Sequence, residues 1–187
     1  MPTTELLTPR LRLRPWRASD LEPFAALNTD PEVMRHFPAP LGRADSDAMA
    51  GRLQALIEQR GWGFWALERL DTGAFVGYAG LGQAPQALPF APAVEIGWRL
   101  ARAHWGLGLA SEAARRSAEH AFGPLGLTEL VAFTALGNQR SRAVMQRLCM
   151  REAGQFDHPA LPHGHLLRRH WLYRLERADL ASRILGA

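Results

Sequence analysis

Lysine is missing from this 187-residue sequence, and all 22 of its basic residues are arginine. That absence excludes a phosphate-binding loop with its lysine, a Schiff-base lysine and a lysine-activated serine for this chain acting alone. The single cysteine, Cys149, excludes an intrachain disulfide and fits a reducing compartment. No stretch approaches the roughly 18 uninterrupted apolar residues of a membrane span. The opening Met1-Pro2-Thr3-Thr4-Glu5 has no charged segment leading into an apolar core. The expectation is a cytoplasmic protein without a membrane partner.

What is present fits one globular domain over residues 1–187. With 47% hydrophobic and 21% charged residues, the chain has enough apolar material for a single core. The net charge of +4 and pI of 10.4 suit an anionic partner. Acidic residues are interspersed and no basic block occurs, so a nucleic-acid partner is not expected.

Arg10-Leu11-Arg12-Leu13-Arg14 alternates with period two and reads as a strand whose arginines form a solvated face. Ser19-Asp20-Leu21-Glu22 has the form of a helix start with Ser19 as cap, and Asp30-Pro31-Glu32 repeats the signal. Between Asp45 and Gln59, Met49, Leu53, Leu56 and Ile57 share a helical face that ends near Gly61. Residues 63–70 and 74–81 read as antiparallel strands around the turn Asp71-Thr72-Gly73. The proline-rich run 84–92 is a loop.

Residues 94–100 alternate, with Val94, Ile96, Trp98 and Leu100 on one face, and form a strand. An alanine-rich helix opens at Gly106-Leu107-Gly108-Leu109-Ala110 and stops at Gly123-Pro124. A strand at 130–136, a helix capped by Asn138 and a closing strand within 165–176 follow, with a short helix from Asp179. The sum is an α/β sandwich with a mixed, mostly antiparallel central sheet and flanking helices.

Two glycines at a helix start let backbone approach a ligand, where first-turn N–H groups lack helical acceptors and the dipole favours an anion. A pyrophosphate is the natural guest. A loop that only lets the helix pack closely fits the same residues. A dinucleotide fingerprint does not fit, because position 111 is serine and residues 101–105 separate the glycines from the strand.

Glu95-Ile96-Gly97-Trp98 followed by Trp105-Gly106-Leu107-Gly108-Leu109-Ala110-Ser111-Glu112-Ala113 resembles the acetyl-CoA motif of the GNAT superfamily, in its ribosomal-protein N-terminal acetyltransferase branch. The Thr8-to-Arg14 opening, Asp30-Pro31-Glu32-Val33-Met34 and Asn138-x-x-Ser141 extend the resemblance over nearly the whole chain. It implies a strand over 94–100 splayed from its neighbour, with the pantetheine arm of acetyl-CoA in the gap as a surrogate strand. Trp98, Arg99 and Leu100 would line that arm. Trp105 and Gly106 through Ala110 would hold the pyrophosphate, with Asn138 at the pantetheine or acetyl end.

The chain departs from the family at two places in that motif. Ala103 stands where glutamine or arginine is usual, and Cys149-Met150 where many relatives have Gly-Phe. A non-glycine left-handed cap costs about 1–2 kcal/mol, so the helix before Cys149 is expected to end differently.

The resemblance implies direct attack by the amine in a ternary complex, with no acyl-enzyme, which leaves Cys149 as a small apolar helix-end residue. Glu95 is the candidate general base, with a solvated strand residue as its plain alternative. Many relatives have a tyrosine acid where this chain has Met145, so Ser141 is the candidate acid, with a capped first-turn residue as its alternative. Backbone N–H near Trp98 is the candidate oxyanion donor. His158, His163, His165 and His170 lack metal spacing, and no metal is expected. The tryptophans read as core.

The implied reaction is acetyl transfer to an amine, with a protein N-terminal α-amine first and a small-molecule amine second. Segments 35–61 and 158–165 would shape the acceptor pocket. A non-catalytic acyl-CoA-binding sensor or scaffold is the alternative, and monomer and homodimer are both compatible with the sequence.

Overall fold

The computed structural model describes residues 4–184. Its eight strands are β1 (Leu6–Leu7), β2 (Leu11–Arg14), β3 (Phe64–Arg69), β4 (Phe75–Gln83), β5 (Val94–Leu100), β6 (Glu129–Ala135), β7 (Arg151–Asp157) and β8 (Arg169–Glu176). They hydrogen-bond in the order β1-β2-β3-β4-β5-β6-β8-β7. The β1–β2, β2–β3, β3–β4, β6–β8 and β7–β8 ladders are antiparallel, whereas β5 runs parallel to β6. Six helices accompany them: α1 (Leu21–Thr29), α2 (Pro31–Met34), α3 (Arg43–Arg60), α4 (Leu109–Phe122), α5 (Gln139–Arg147) and α6 (Arg177–Ile184). This is a mixed α/β fold with flanking helices. No helix among the described residues is long and apolar enough to cross a membrane.

The backbone divides into two compact units, Met1–Leu81 with Gly97–Ser117, and Gly82–Ile96 with Ala118–Ala187. In the first, α3 buries Ser46, Ala50, Leu53 and Ile57 at three- and four-residue spacing and ends where Gly61 turns left-handed at φ 80°. Trp16, Phe24 and Tyr78 form an edge-on aromatic core, with Trp16 and Phe24 centroids 4.7 Å apart. β3 and β4 turn at Gly73, φ 70°, as the Asp-Thr-Gly signal requires.

Two expectations in this unit are corrected. Arg14 is not on a wet face. It is 2% exposed and paired with Asp20 at 2.7 Å and Glu68 at 2.6 Å, because the acid just before α1 and an acid of β3 meet it there. Ser19 is not a cap either. Asp20 stands at the N-cap of α1 without a side-chain bond to it, and its carboxylate instead accepts the Arg17 N–H at 2.8 Å while binding Arg14.

In the second unit, β8 lies between β6 and β7. Phe90, Phe133 and Phe156 pack ring to ring at 5.1–5.9 Å, beside His158 and His170. β7 buries only Phe156, so no apolar period marks it in the sequence. The closing strand starts at Arg169, with the histidine segment before it in turns.

Candidate functional site

The glycine segment lies in the first unit. A 3-10 turn over Arg102–His104 follows β5, and Trp105 folds back so that its indole N–H donates to the Leu100 carbonyl at 2.8 Å. Gly106 and Gly108 sit at φ 75° and 78°, where a side chain is strained. A Cβ at Gly106 would meet nothing within 4 Å and one at Gly108 only the Arg10 guanidinium at 3.6 Å, so backbone angle, not space, demands glycine.

The first helical bond of α4 is Glu112 N–H to Gly108 O at 3.1 Å. The N–H groups of Leu109, Ala110 and Ser111 therefore precede the ladder and are available to an anion, together with the positive end of the helix dipole. Leu107 and Gly108 are exposed, whereas Leu109 is buried and anchors the helix start. Ala103, also exposed, offers no donor side chain.

Arg10 and Glu112 fix this turn. Glu112 accepts the Arg10 N–H at 2.9 Å, its Nε at 2.7 Å and the Thr8 hydroxyl at 2.7 Å, while Arg10 Nη1 donates to the Leu107 carbonyl at 2.9 Å. Burial pushes the Glu112 carboxyl up, but the hydrogen bonds from Thr8 and Arg10 and the Arg10 charge bring it below its ordinary value. Sequence reasoning missed this clamp. Its signal was the acid in the first helical turn together with a strand arginine, both visible but not pairable without the fold.

Of the other residues expected to line the arm, Leu100 is buried and Trp98 half-exposed. A Cβ at Gly77 of β4 would come within 2.2 Å of the Arg99 carbonyl, so glycine there lets β4 approach β5 closely. The Arg99 side chain turns into the unit, against Asn28, Phe37 and Tyr78.

The second unit holds the remaining candidates. The β5–β6 ladder consists of a single residue pair, Glu95 with Val131, at the start of both strands. Glu95 is half-buried, and burial pushes its carboxyl up to about 7. That value suits a proton acceptor working near neutrality. Beside this pair opens a cavity of about 390 Å³ whose lining includes Val94, Glu129 and Val131. Its acid, Glu129, is tied to Arg174.

Asn138 caps α5, as the sequence indicates: its Oδ1 accepts the Ser141 N–H at 3.2 Å, and its amide donates to Thr134 of β6 at 2.9 Å. Thr134 was not foreseen as this anchor. The half-buried Ser141 hydroxyl makes no hydrogen bond among the described residues. Met145, at the position of a family tyrosine, is buried.

The end of α5 overturns an expectation. Cys149 adopts φ 65°, its N–H bonds Gln146 O at 2.9 Å, and the Met150 N–H bonds Met145 O at 3.0 Å. This is a full left-handed cap with cysteine in the glycine place. Met145 and Met150 are both buried. His158 and His170 stack at 5.1 Å. Among the described residues no group of three His, Cys, Asp or Glu is placed to hold a metal.

The mixed eight-stranded sheet with its flanking helices matches the fold of acetyltransferases of known structure. The acetyltransferase (GNAT) domain model matches residues 10–151, and the chain belongs to that family. It is an N-acetyltransferase that uses acetyl-CoA and acts on an amine. It is 31% identical over 148 residues to the uncharacterized protein YkkB of Bacillus subtilis, covering 79% of this chain and 85% of YkkB. An acetyltransferase from Agrobacterium tumefaciens superposes with TM-score 0.77 at 25% identity, covering 95% of this chain and 96% of that one. Mycobacterium smegmatis RimJ, in complex with CoA-disulfide, superposes with TM-score 0.76 at 21% identity, covering 99% and 95%.

Proposed function

We propose that this enzyme acetylates the N-terminal α-amine of a protein in preference to a small-molecule amine, in the manner of the ribosomal-protein branch. The reaction is direct attack in a ternary complex, carried out by one domain over residues 1–187 in the cytoplasm, as monomer or homodimer. The observation that carries the reading is the start of α4, where three N–H groups stand ahead of the helical ladder on a turn that only glycines relax into. An anionic diphosphate fits that donor set.

Acetyl-CoA supplies the activated acyl group as a thioester. The N–H groups of the 106–110 turn hold its diphosphate, with Trp105 buttressing the turn from behind through Leu100. The backbone of Trp98, Arg99 and Leu100 lines the pantetheine arm, and a backbone N–H near Trp98 faces the carbonyl oxygen. Asn138, whose amide keeps one donor beyond Thr134, would contact the pantetheine or acetyl end. Glu95, with its carboxyl near 7, takes a proton from the acceptor amine, directly or through water. An α-amine of pKa about 7.7–8 matches such a base better than a lysine amine near 10.4. Ser141 gives a proton to the departing thiolate.

A panel of N-terminal peptides, lysine peptides and small amines, read by thiol release, tests this. Highest kcat/KM on N-terminal α-amines is expected. Preference for a small amine would move the acceptor class, and tight acetyl-CoA binding with no turnover on any amine would make the chain a sensor.

A further inference from the structure

Arg99 is a buried cation without a carboxylate. It is 8% exposed. Nη1 donates to Asn28 Oδ1 at 2.7 Å, and the guanidinium lies 3.9 Å from the Phe37 ring centroid and 5.4 Å from that of Tyr78. Nε is buried with no acceptor, and Nη2 makes no hydrogen bond among the described residues.

The other arginines of this unit show what is missing. Arg14, more deeply buried at 2% exposed, binds two carboxylates, Asp20 and Glu68. Arg10, Arg12, Arg17 and Arg69, all more exposed, each pair with an acid as well. Arg99 instead receives a neutral amide and two ring faces, which orient a guanidinium but leave its charge uncancelled.

The support for it is built in depth. Asn28 is fully buried on α1 and held in turn by Ser46 of α3, its amide donating to the Ser46 hydroxyl at 2.9 Å. Phe37 lies in the segment after α2, and Ser46 and Phe37 both fall within the 35–61 stretch that the sequence assigns to the acceptor pocket. A guanidinium locked in place with its counter-charge absent is a pre-organised anion receptor.

We propose that the Arg99 side chain recognises a carboxylate on the acceptor, so that the substrate is an amine carrying a nearby acidic group. This rests on the acetyl-transfer reading above, in which the Arg99 backbone, not its side chain, serves the cosubstrate. The carboxylate pairs at Nη2 and supplies the negative charge that the fold withholds. Two sources share that chemistry, a free amino acid and an acidic residue near a protein N-terminus.

The test compares matched acceptors on the wild-type enzyme by thiol release: amino acids against their amides, and peptides with Asp or Glu in the first three residues against their Asn or Gln counterparts. A preference of at least tenfold in kcat/KM for the acidic member is expected in one arm, and that arm names the source. In Arg99→Gln the ratio falls to near one; in Arg99→Lys, which keeps charge but loses the planar stack on Phe37, it falls partway. Thermal melts verify that both variants fold, and where one does not, the wild-type ratio decides. Equal rates on acidic and neutral acceptors, or a ratio untouched by Arg99→Gln, overturn this inference alone. Absence of turnover on every amine overturns the acetyl-transfer reading and takes this inference with it.

Discussion

Arg10 gives Glu112 two hydrogen bonds, one from its backbone N–H at 2.9 Å and one from its Nε at 2.7 Å, and so ties the edge of β2 to the first turn of α4. Thr8 is a third donor to the carboxylate, and Arg10 also reaches the Leu107 carbonyl of the glycine turn. The negative charge also sits where the α4 dipole favours it.

Removing that carboxylate should loosen both the strand and the turn. Glu112→Ala is expected to cost about 1.5–3 kcal/mol, the range for hydrogen bonds to a charged group, or roughly 2–4 °C in Tm for each kcal/mol at this chain length. Acetyl-CoA affinity should weaken severalfold at the same time, as read by calorimetry. Because the Glu112 pKa is lowered in the fold, its contribution is present above the unfolded value of 4.5 and is lost as pH falls through the folded one. Glu112→Ala should therefore flatten the acid side of the stability profile.

Glu95 should act in the opposite sense. Its folded pKa of about 7 lies above the ordinary 4.5, so between those values the folded protein keeps a proton that the unfolded chain has released. Stability from this group is full below 4.5 and declines as pH rises through 7. Activity rises across the same window, because only the ionised carboxyl accepts a proton. A kcat/KM profile with a rising limb near pH 7 is expected, and Glu95→Gln should remove the limb while lowering the rate most for amines of high pKa. An unchanged rate on all amines would take Glu95 out of the chemistry.

Ser141 and Asn138 separate a chemical role from a structural one. Ser141→Ala is expected to lower kcat about tenfold, below the usual range for a general acid because a thiol of pKa about 8.5 leaves readily. Its Tm should barely move, since the capping bond uses the backbone N–H and not the hydroxyl. Asn138→Ala removes the cap and should cost about 1 kcal/mol. Full turnover in Ser141→Ala would mean that the thiolate departs unaided.

Cys149 is a place where the chain can be improved. At φ 65° a glycine is free of the side-chain strain of about 1–2 kcal/mol, offset in part by the entropy that glycine loses on folding. Cys149→Gly should stabilise the protein by about 0.5–1 kcal/mol without altering the cap bonds from Cys149 and Met150. A lower melting temperature would show that the thiol packs better than its half-buried position indicates.

Most elements were legible because their signals are local. The strand at Val94–Leu100 has its stated bounds, the α3 stop at Gly61 follows from one residue, and Asn138 caps α5 through a bond three residues long. β7 was illegible because Arg151-Glu152-Ala153-Gly154-Gln155 exposes every side chain and is a strand only through pairing with β8. Arg14 was misread for a related reason. Alternation tells which residues share a face but not whether acids from distant positions will meet them there.

For the site, the glycine spacing, Glu95 and the Asn138-x-x-Ser141 segment were readable in order along the chain, since backbone conformation and helix ends are written in neighbouring residues. The sequence by itself therefore determined the elements, the family and the turn that offers donors to an anion. Tertiary structure alone decided that burial raises the Glu95 carboxyl to about 7, that Glu112 clamps Arg10 across 102 residues, and that Arg99 is enclosed with no acid beside it. Those are properties of solvent exclusion and of charge pairs brought together by folding, and neither is encoded within the reach of a local pattern.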